Sequence, residues 1–84
     1  MFDYYITFRS ATAAQRGEEV LAYHNLRARL LRTPKALSQK GCGYALKLRD
    51  LDGEAAGEIL AAYGVAYQAV YKVYHSGSVE EATL

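Results

Sequence analysis

The chain has one cysteine, one proline and no tryptophan in 84 residues. A single thiol cannot close an intrachain disulfide, and it cannot form a Cys-rich zinc module, so stability has to come from a packed core. Low-complexity tracts are missing too, and with 51% hydrophobic and 23% charged residues the composition excludes intrinsic disorder. Nowhere does an apolar run reach the roughly 18 residues of a membrane span. The opening residues, MFDYYITFRS, put an acid and tyrosines where a secretory leader carries lysine or arginine and then an apolar stretch. A soluble, cytoplasmic protein is therefore expected, with no membrane partner. Two separate cores would each have only about 40 residues, the size near which disulfides or metals become necessary, which argues for one domain.

Acids are absent from one long stretch. From Arg27 to Arg49 there are seven positive residues (Arg27, Arg29, Arg32, Lys35, Lys40, Lys47, Arg49) and no Asp or Glu. From Asp50 to Leu84 the balance reverses, with six acids against Lys72. The net charge of +1 hides this asymmetry. The basic stretch also holds the only cysteine and the only proline, Cys42 and Pro34.

Elements follow from periodicity. Phe2, Tyr4, Ile6 and Phe8 alternate with Asp3, Tyr5 and Thr7, a period of two that predicts a strand. Ser10 or Thr12 can cap a helix over Ala11 to His24, Thr12 with Gln15 as a capping box, and Asn25 suits the left-handed residue that ends it. A strand is expected over Ala28 to Arg32, a loop over Thr33 to Cys42, and a third strand from Tyr44 to Leu48. Asp52 is placed to cap a second helix running to Tyr63, with Gly64 closing it. A tyrosine- and valine-rich strand covers Tyr67 to Tyr74. Residues 76–84 show no periodicity and are expected as a flexible C-terminal tail beyond a 1–75 domain. EEVLAYHNL, from Glu18, precedes the matching GEILAAYGV, from Gly57, by 39 residues, so each half reads as a β-α-β unit. Two such units give β-α-β-β-α-β, for which the expected solution is a ferredoxin-like α+β two-layer sandwich with an antiparallel sheet of order 4-1-3-2 and both helices on one face.

That topology sends the Thr33–Cys42 loop to the end of the sheet where strand one turns into helix one. Cys42 is then expected near Arg9, Ser10 and Thr12. A helix N-terminus presents unpaired N–H groups and partial positive charge, which stabilises a thiolate or another anion. Arg9, Arg32 and Lys40 add to that field, and Gly41 and Gly43 leave the thiol uncrowded. The plainer alternative is a structural cysteine packed as a small hydrophobe.

The segments YYITFRSATAA, RLLRTPKALS, GCGYALKL and GVAYQAVYKV resemble the putative selenium/sulfur carrier protein-like family of small bacterial domains, over about Tyr4 to Val73. The most specific part is a Thr-Pro-basic-x-hydrophobic-Ser loop leading into Cys-Gly, here Thr33, Pro34, Lys35, Leu37, Ser38, Cys42 and Gly43. The resemblance implies a thiol that holds sulfur or selenium as a persulfide or selenosulfide, with donor and acceptor proteins as partners and no cofactor. Thr33, Pro34, Lys35 and Ser38 would shape the loop. Such a protein is a carrier rather than a complete enzyme.

Other constellations are weaker. His24, Cys42 and His75 lack metal-ligand spacing, and no metal site is expected. Glycines Gly41, Gly43 and Gly53 lack phosphate-loop spacing. Eight tyrosines raise a rival reading, with Tyr5, Tyr44, Tyr67, Tyr71 and Tyr74 on an open sheet face. Strand three reads YALKLR, without the aromatic pattern of an RNA-recognition strand, which together with the small net charge argues against nucleic acid. The tyrosines fit self-association better, as a homodimer through the open face, and the alternative function is a regulatory or interaction module using that face.

Overall fold

A computed structural model describes residues 1–37 and 43–84. The elements are β1 (Phe2–Phe8), α1 (Ala11–Tyr23), β2 (Arg29–Arg32), β3 (Tyr44–Arg49), a single 3-10 turn (Asp50–Asp52), α2 (Gly53–Ala62), β4 (Ala69–Tyr74) and β5 (Val79–Ala82). All strand pairings are antiparallel.

Alternation in β1 fixes which face is buried. Ile6 and Phe8 are fully buried, and their cross-strand partners Leu46 and Tyr44 in β3 and Val70 in β4 share the same face of the sheet. Leu21 and Ala14 from α1, and Leu60 and Ala56 from α2, close over that face, so one core forms between the sheet and the two helices. Asp3, Tyr5 and Thr7 point to the other side.

Both helices end the same way, as the repeat implies. Leu26 N–H bonds the Leu21 carbonyl and Asn25 N–H the Ala22 carbonyl; Val65 N–H bonds the Leu60 carbonyl and Gly64 N–H the Ala61 carbonyl. These are the paired bonds of a Schellman stop. Its left-handed residue is Asn25 (φ 63°) in the first copy and Gly64 (φ 68°) in the second, the two residue types that bear that conformation at least cost.

Three expectations are corrected. The sheet has five strands in the order β2-β3-β1-β4-β5, so the expected four-stranded 4-1-3-2 sheet is extended by a fifth strand beyond β4. The difference arises in the segment expected as a tail, where Tyr74 N–H bonds the Ser78 carbonyl, Gly77 N–H bonds the Tyr74 carbonyl, and the chain returns as β5 along the free edge of β4. The tyrosines do not share one face. Tyr44 pairs with Phe8 and Tyr74 with Phe2, on the helix side, and Tyr67 packs against the core, leaving Tyr5 and Tyr71 as cross-strand neighbours on the open face. Asp52 does not cap α2 through its side chain; a 3-10 turn intervenes, and the carboxylate accepts from Arg49 Nε at 3.3 Å.

Candidate functional site

The loop after β2 has its two described ends joined at the base. Arg32 pairs with Tyr44 at the last rung of the β2–β3 ladder, and Thr33 N–H donates to the Gly43 carbonyl at 3.0 Å. Pro34, with no N–H to offer, opens a turn in which Leu37 N–H bonds the Pro34 carbonyl at 2.9 Å. Leu37 is buried and anchors the turn, while Lys35 is exposed. Of the loop residues singled out from the sequence, Ser38, Lys40, Gly41 and Cys42 lie outside the described residues.

Gly43 ties this base to β1. A Cβ built there would stand 3.1 Å from the Phe8 carbonyl oxygen and 3.5 Å from Thr33 Oγ1, so the returning chain passes against the end of β1 more closely than a side chain comfortably allows. Thr33 Oγ1 is itself buried, with no hydrogen-bond partner among the described residues. Arg9 and Ser10 follow Phe8 directly. Ser10 is the N-cap of α1: its hydroxyl accepts from Ala13 N–H at 3.1 Å and its carbonyl from Ala14 N–H. Thr12, the other candidate cap, is an exposed residue inside the first turn. The remaining first-turn N–H groups have no partner within the helix.

The charge of this end is one-sided. Arg9, Arg32 and Lys35 are all exposed, and the Arg32 guanidinium lies 5.5 Å from the centre of the Tyr44 ring. The segments that meet here, 8–14, 32–37, 43–45 and 65–69, contain no Asp or Glu. Asp3, paired with Arg49, is at the opposite end of the strands. The structure thus brings Thr33, Gly43, Arg32 and the β1–α1 turn to one place.

It does not bring the histidines there. His24 follows the last residue of α1, about 20 Å along the helix axis from Ser10. His75 follows Tyr74, whose partner Phe2 begins β1, about 20 Å along the strand from Phe8. Among the described residues no three His, Cys, Asp or Glu side chains converge on a metal position.

One pairing escaped the sequence reading. His24 Nε2 and Tyr63 Oη share a hydrogen bond at 2.9 Å, and Arg16 donates to the Tyr63 carbonyl at 3.3 Å. His24 and Tyr63 are 39 residues apart, equivalent positions of the internal repeat, and that offset was the signal that could have found them. A shallow groove, lined by Glu18, Glu19, Asn25, Arg27 and the edge of β2, runs between α1 and β2; its charges are mixed and it is separate from the loop base.

The family model described as putative Se/S carrier protein-like matches residues 3–72. No curated protein and no solved structure matches the chain. Among the described residues no helix is long and apolar enough to cross a membrane.

Proposed function

The chain belongs to the putative Se/S carrier protein-like family, and we propose that it carries one sulfur or selenium atom on Cys42 in the cytoplasm, between a donor and an acceptor protein. Loading is an exchange without net oxidation. The Cys42 thiolate attacks the terminal sulfur of a donor persulfide, R–S–SH; a new S–S bond forms on Cys42, the donor's S–S bond breaks, and its electron pair leaves on the donor thiolate. The terminal S–H proton travels with the transferred sulfur. Delivery is the same step with the acceptor thiolate as attacker. A donor carrying R–S–SeH transfers selenium by the same electron bookkeeping.

The observation that carries this reading is the cationic, acid-free end of the sheet on which the Thr33–Gly43 base sits. Such surroundings favour a thiolate over a thiol. Gly43, the residue bonded to Cys42, stands against the end of β1 and so beside the start of α1. A hydrolase or transferase needs a base fixed against its nucleophile, and both histidines are remote from this end. A carrier needs only an attackable thiol and room for two partners in turn. Ser38, Lys40 and Gly41 would complete the loop that offers it.

Intact-mass measurement after incubation with a persulfide donor tests the proposal. The protein should gain about 32 Da per sulfur, or about 79 Da from a selenium donor, reversed by a reducing thiol. Cys42→Ser should gain nothing. Equal loading of Cys42→Ser, or no loading of the wild type at excess donor, overturns it.

A further inference from the structure

The face of the sheet opposite the helices carries a row of side chains that is its own counterpart. One cross-strand line runs Arg29 (β2), Lys47 (β3), Tyr5 (β1), Tyr71 (β4), Glu81 (β5). Lys47 Nζ lies 6.0 Å from the centre of the Tyr5 ring and 3.9 Å from Asp3. At the two ends Arg29 and Glu81 are exposed, and among the described residues neither has an ion-pair partner. Apolar side chains flank the row: Leu31 on one side, Val73 and Val79 on the other.

We propose that this face packs against the same face of a second copy of the chain, about a two-fold axis parallel to β1. Such an axis turns the row end for end. Arg29 of each copy then stands over Glu81 of the other, Lys47 over Tyr71, and Tyr5 over Tyr5. The end pairs are salt bridges, the next pairs place a cation on an aromatic face, and the centre is an aromatic contact. A two-fold axis running along the row instead would set Arg29 on Arg29 and Glu81 on Glu81, so charge selects the first arrangement. Sheets stacked face to face lie about 10 Å apart with strands within about 30° of each other, which moves the row's ends by roughly 5 Å, within the swing of an arginine side chain.

Area sets the strength. Five strands at about 4.8 Å spacing, about 20 Å long at the centre and about 13 Å at the edges, give a footprint near 400 Å² per copy, so the pair removes about 800 Å² from water, the size of a weak, transient interface. The dimer is therefore concentration-dependent. Because the axis is parallel to the strands, both loop-bearing ends emerge at the same end of the assembly. The pairing uses the sheet alone and is independent of Cys42 chemistry.

Sedimentation velocity on the full chain over micromolar to submillimolar concentrations tests it, with four samples: wild type, Arg29→Glu, Glu81→Arg, and the double exchange. All substituted positions are exposed, so folding is retained, as circular dichroism can check. The wild type should dimerise. Each single exchange turns two attractive pairs into two repulsive ones and should weaken association about tenfold or more. The double exchange should restore it, and mixing the two single variants should give a heterodimer tighter than either alone. A monomeric wild type throughout the range, or a dimer indifferent to the exchanges, overturns the proposal.

Discussion

Two helical glycines allow a test of how α1 and α2 seat on the core, because the same substitution should act in opposite directions at each. Gly17 lies inside α1 and Gly57 inside α2, so Gly→Ala removes the same backbone penalty, about 0.8–1 kcal/mol, at either site. A Cβ at Gly17 would stand 3.1 Å from Phe8 Cζ and 3.2 Å from Leu46 Cδ1. Carbon–carbon contacts prefer about 3.5–4.0 Å, so ring and leucine must retreat by a few tenths of an ångström. Phe8 is 1% exposed and Leu46 0%, so neither can retreat into solvent. Overpacking of this kind costs about 1–3 kcal/mol, so Gly17→Ala should lower stability by about 1 kcal/mol net. A Cβ at Gly57 would come closer still, 2.7 Å from Leu84 Cβ. Leu84, however, is 37% exposed and lies outside any strand or helix, so it can shift toward solvent. Gly57→Ala should therefore be neutral or stabilising by up to about 1 kcal/mol. Urea unfolding followed by tyrosine fluorescence gives both values. If Gly17→Ala proves at least as stable as Gly57→Ala, contact distance rather than the freedom of the neighbour governs the cost, and the account of α1 seated tightly on Phe8 and Leu46 is wrong.

The cationic end yields two more expectations. Cys42 should alkylate with a half-maximal pH below the ordinary cysteine value of about 8.5, and Arg9→Ala should raise that pH, since removing a cation disfavours the thiolate; an unchanged pH profile in Arg9→Ala refutes the juxtaposition of the β1–α1 turn with the loop. The same end should bind inorganic sulfate or phosphate weakly, and Arg32→Ala combined with Lys40→Ala should reduce the affinity seen in a calorimetric or shift-perturbation titration; undiminished binding in that variant places the anion elsewhere.

Particular residues show why some of this was legible and some was not. In β1 the alternation of Phe2, Tyr4, Ile6 and Phe8 with polar neighbours carries the signal in full, because one face is buried and the other is not. Asn25 and Gly64 were legible because a left-handed backbone restricts the residue type. β5 was not: VEEA puts only Ala82 against the core and keeps its other side chains mostly exposed, so it has no hydrophobic period to detect. Its strand character comes from the free edge of β4 and from the turn at Gly77 (φ 102°), and the Ser-Gly dipeptide ahead of it was the local sign. Tyr44 and Tyr74 could be assigned to a face only by the register with Phe8 and Phe2, which is tertiary information. The base of the loop was legible through Pro34, Gly43 and chain direction. Which hydroxyl capped α1 was not, since Ser10 and Thr12 have the same chemistry and only backbone geometry separates them.

The charge asymmetry along the chain acquires its meaning through strand order. The acid-free stretch from Arg27 to Arg49 supplies β2 and β3, and the acidic half supplies β4 and β5. Because the sheet runs β2-β3-β1-β4-β5, the two halves fall on opposite sides of the central strand, and an imbalance in sequence becomes a gradient across the sheet. The same basic stretch also supplies Arg32 and Lys35 at the end of β2, so one run of residues makes the positive edge of the open face and part of the cationic end around the loop. The negative edge depends on β5 alone, through Glu81, and β5 lies beyond the 3–72 region the family model matches. The proposed carrier chemistry and the proposed self-pairing thus draw on different residues. Substitutions at Arg29 and Glu81 can remove the pairing without touching the loop base, and Cys42→Ser can remove the thiol without touching the row.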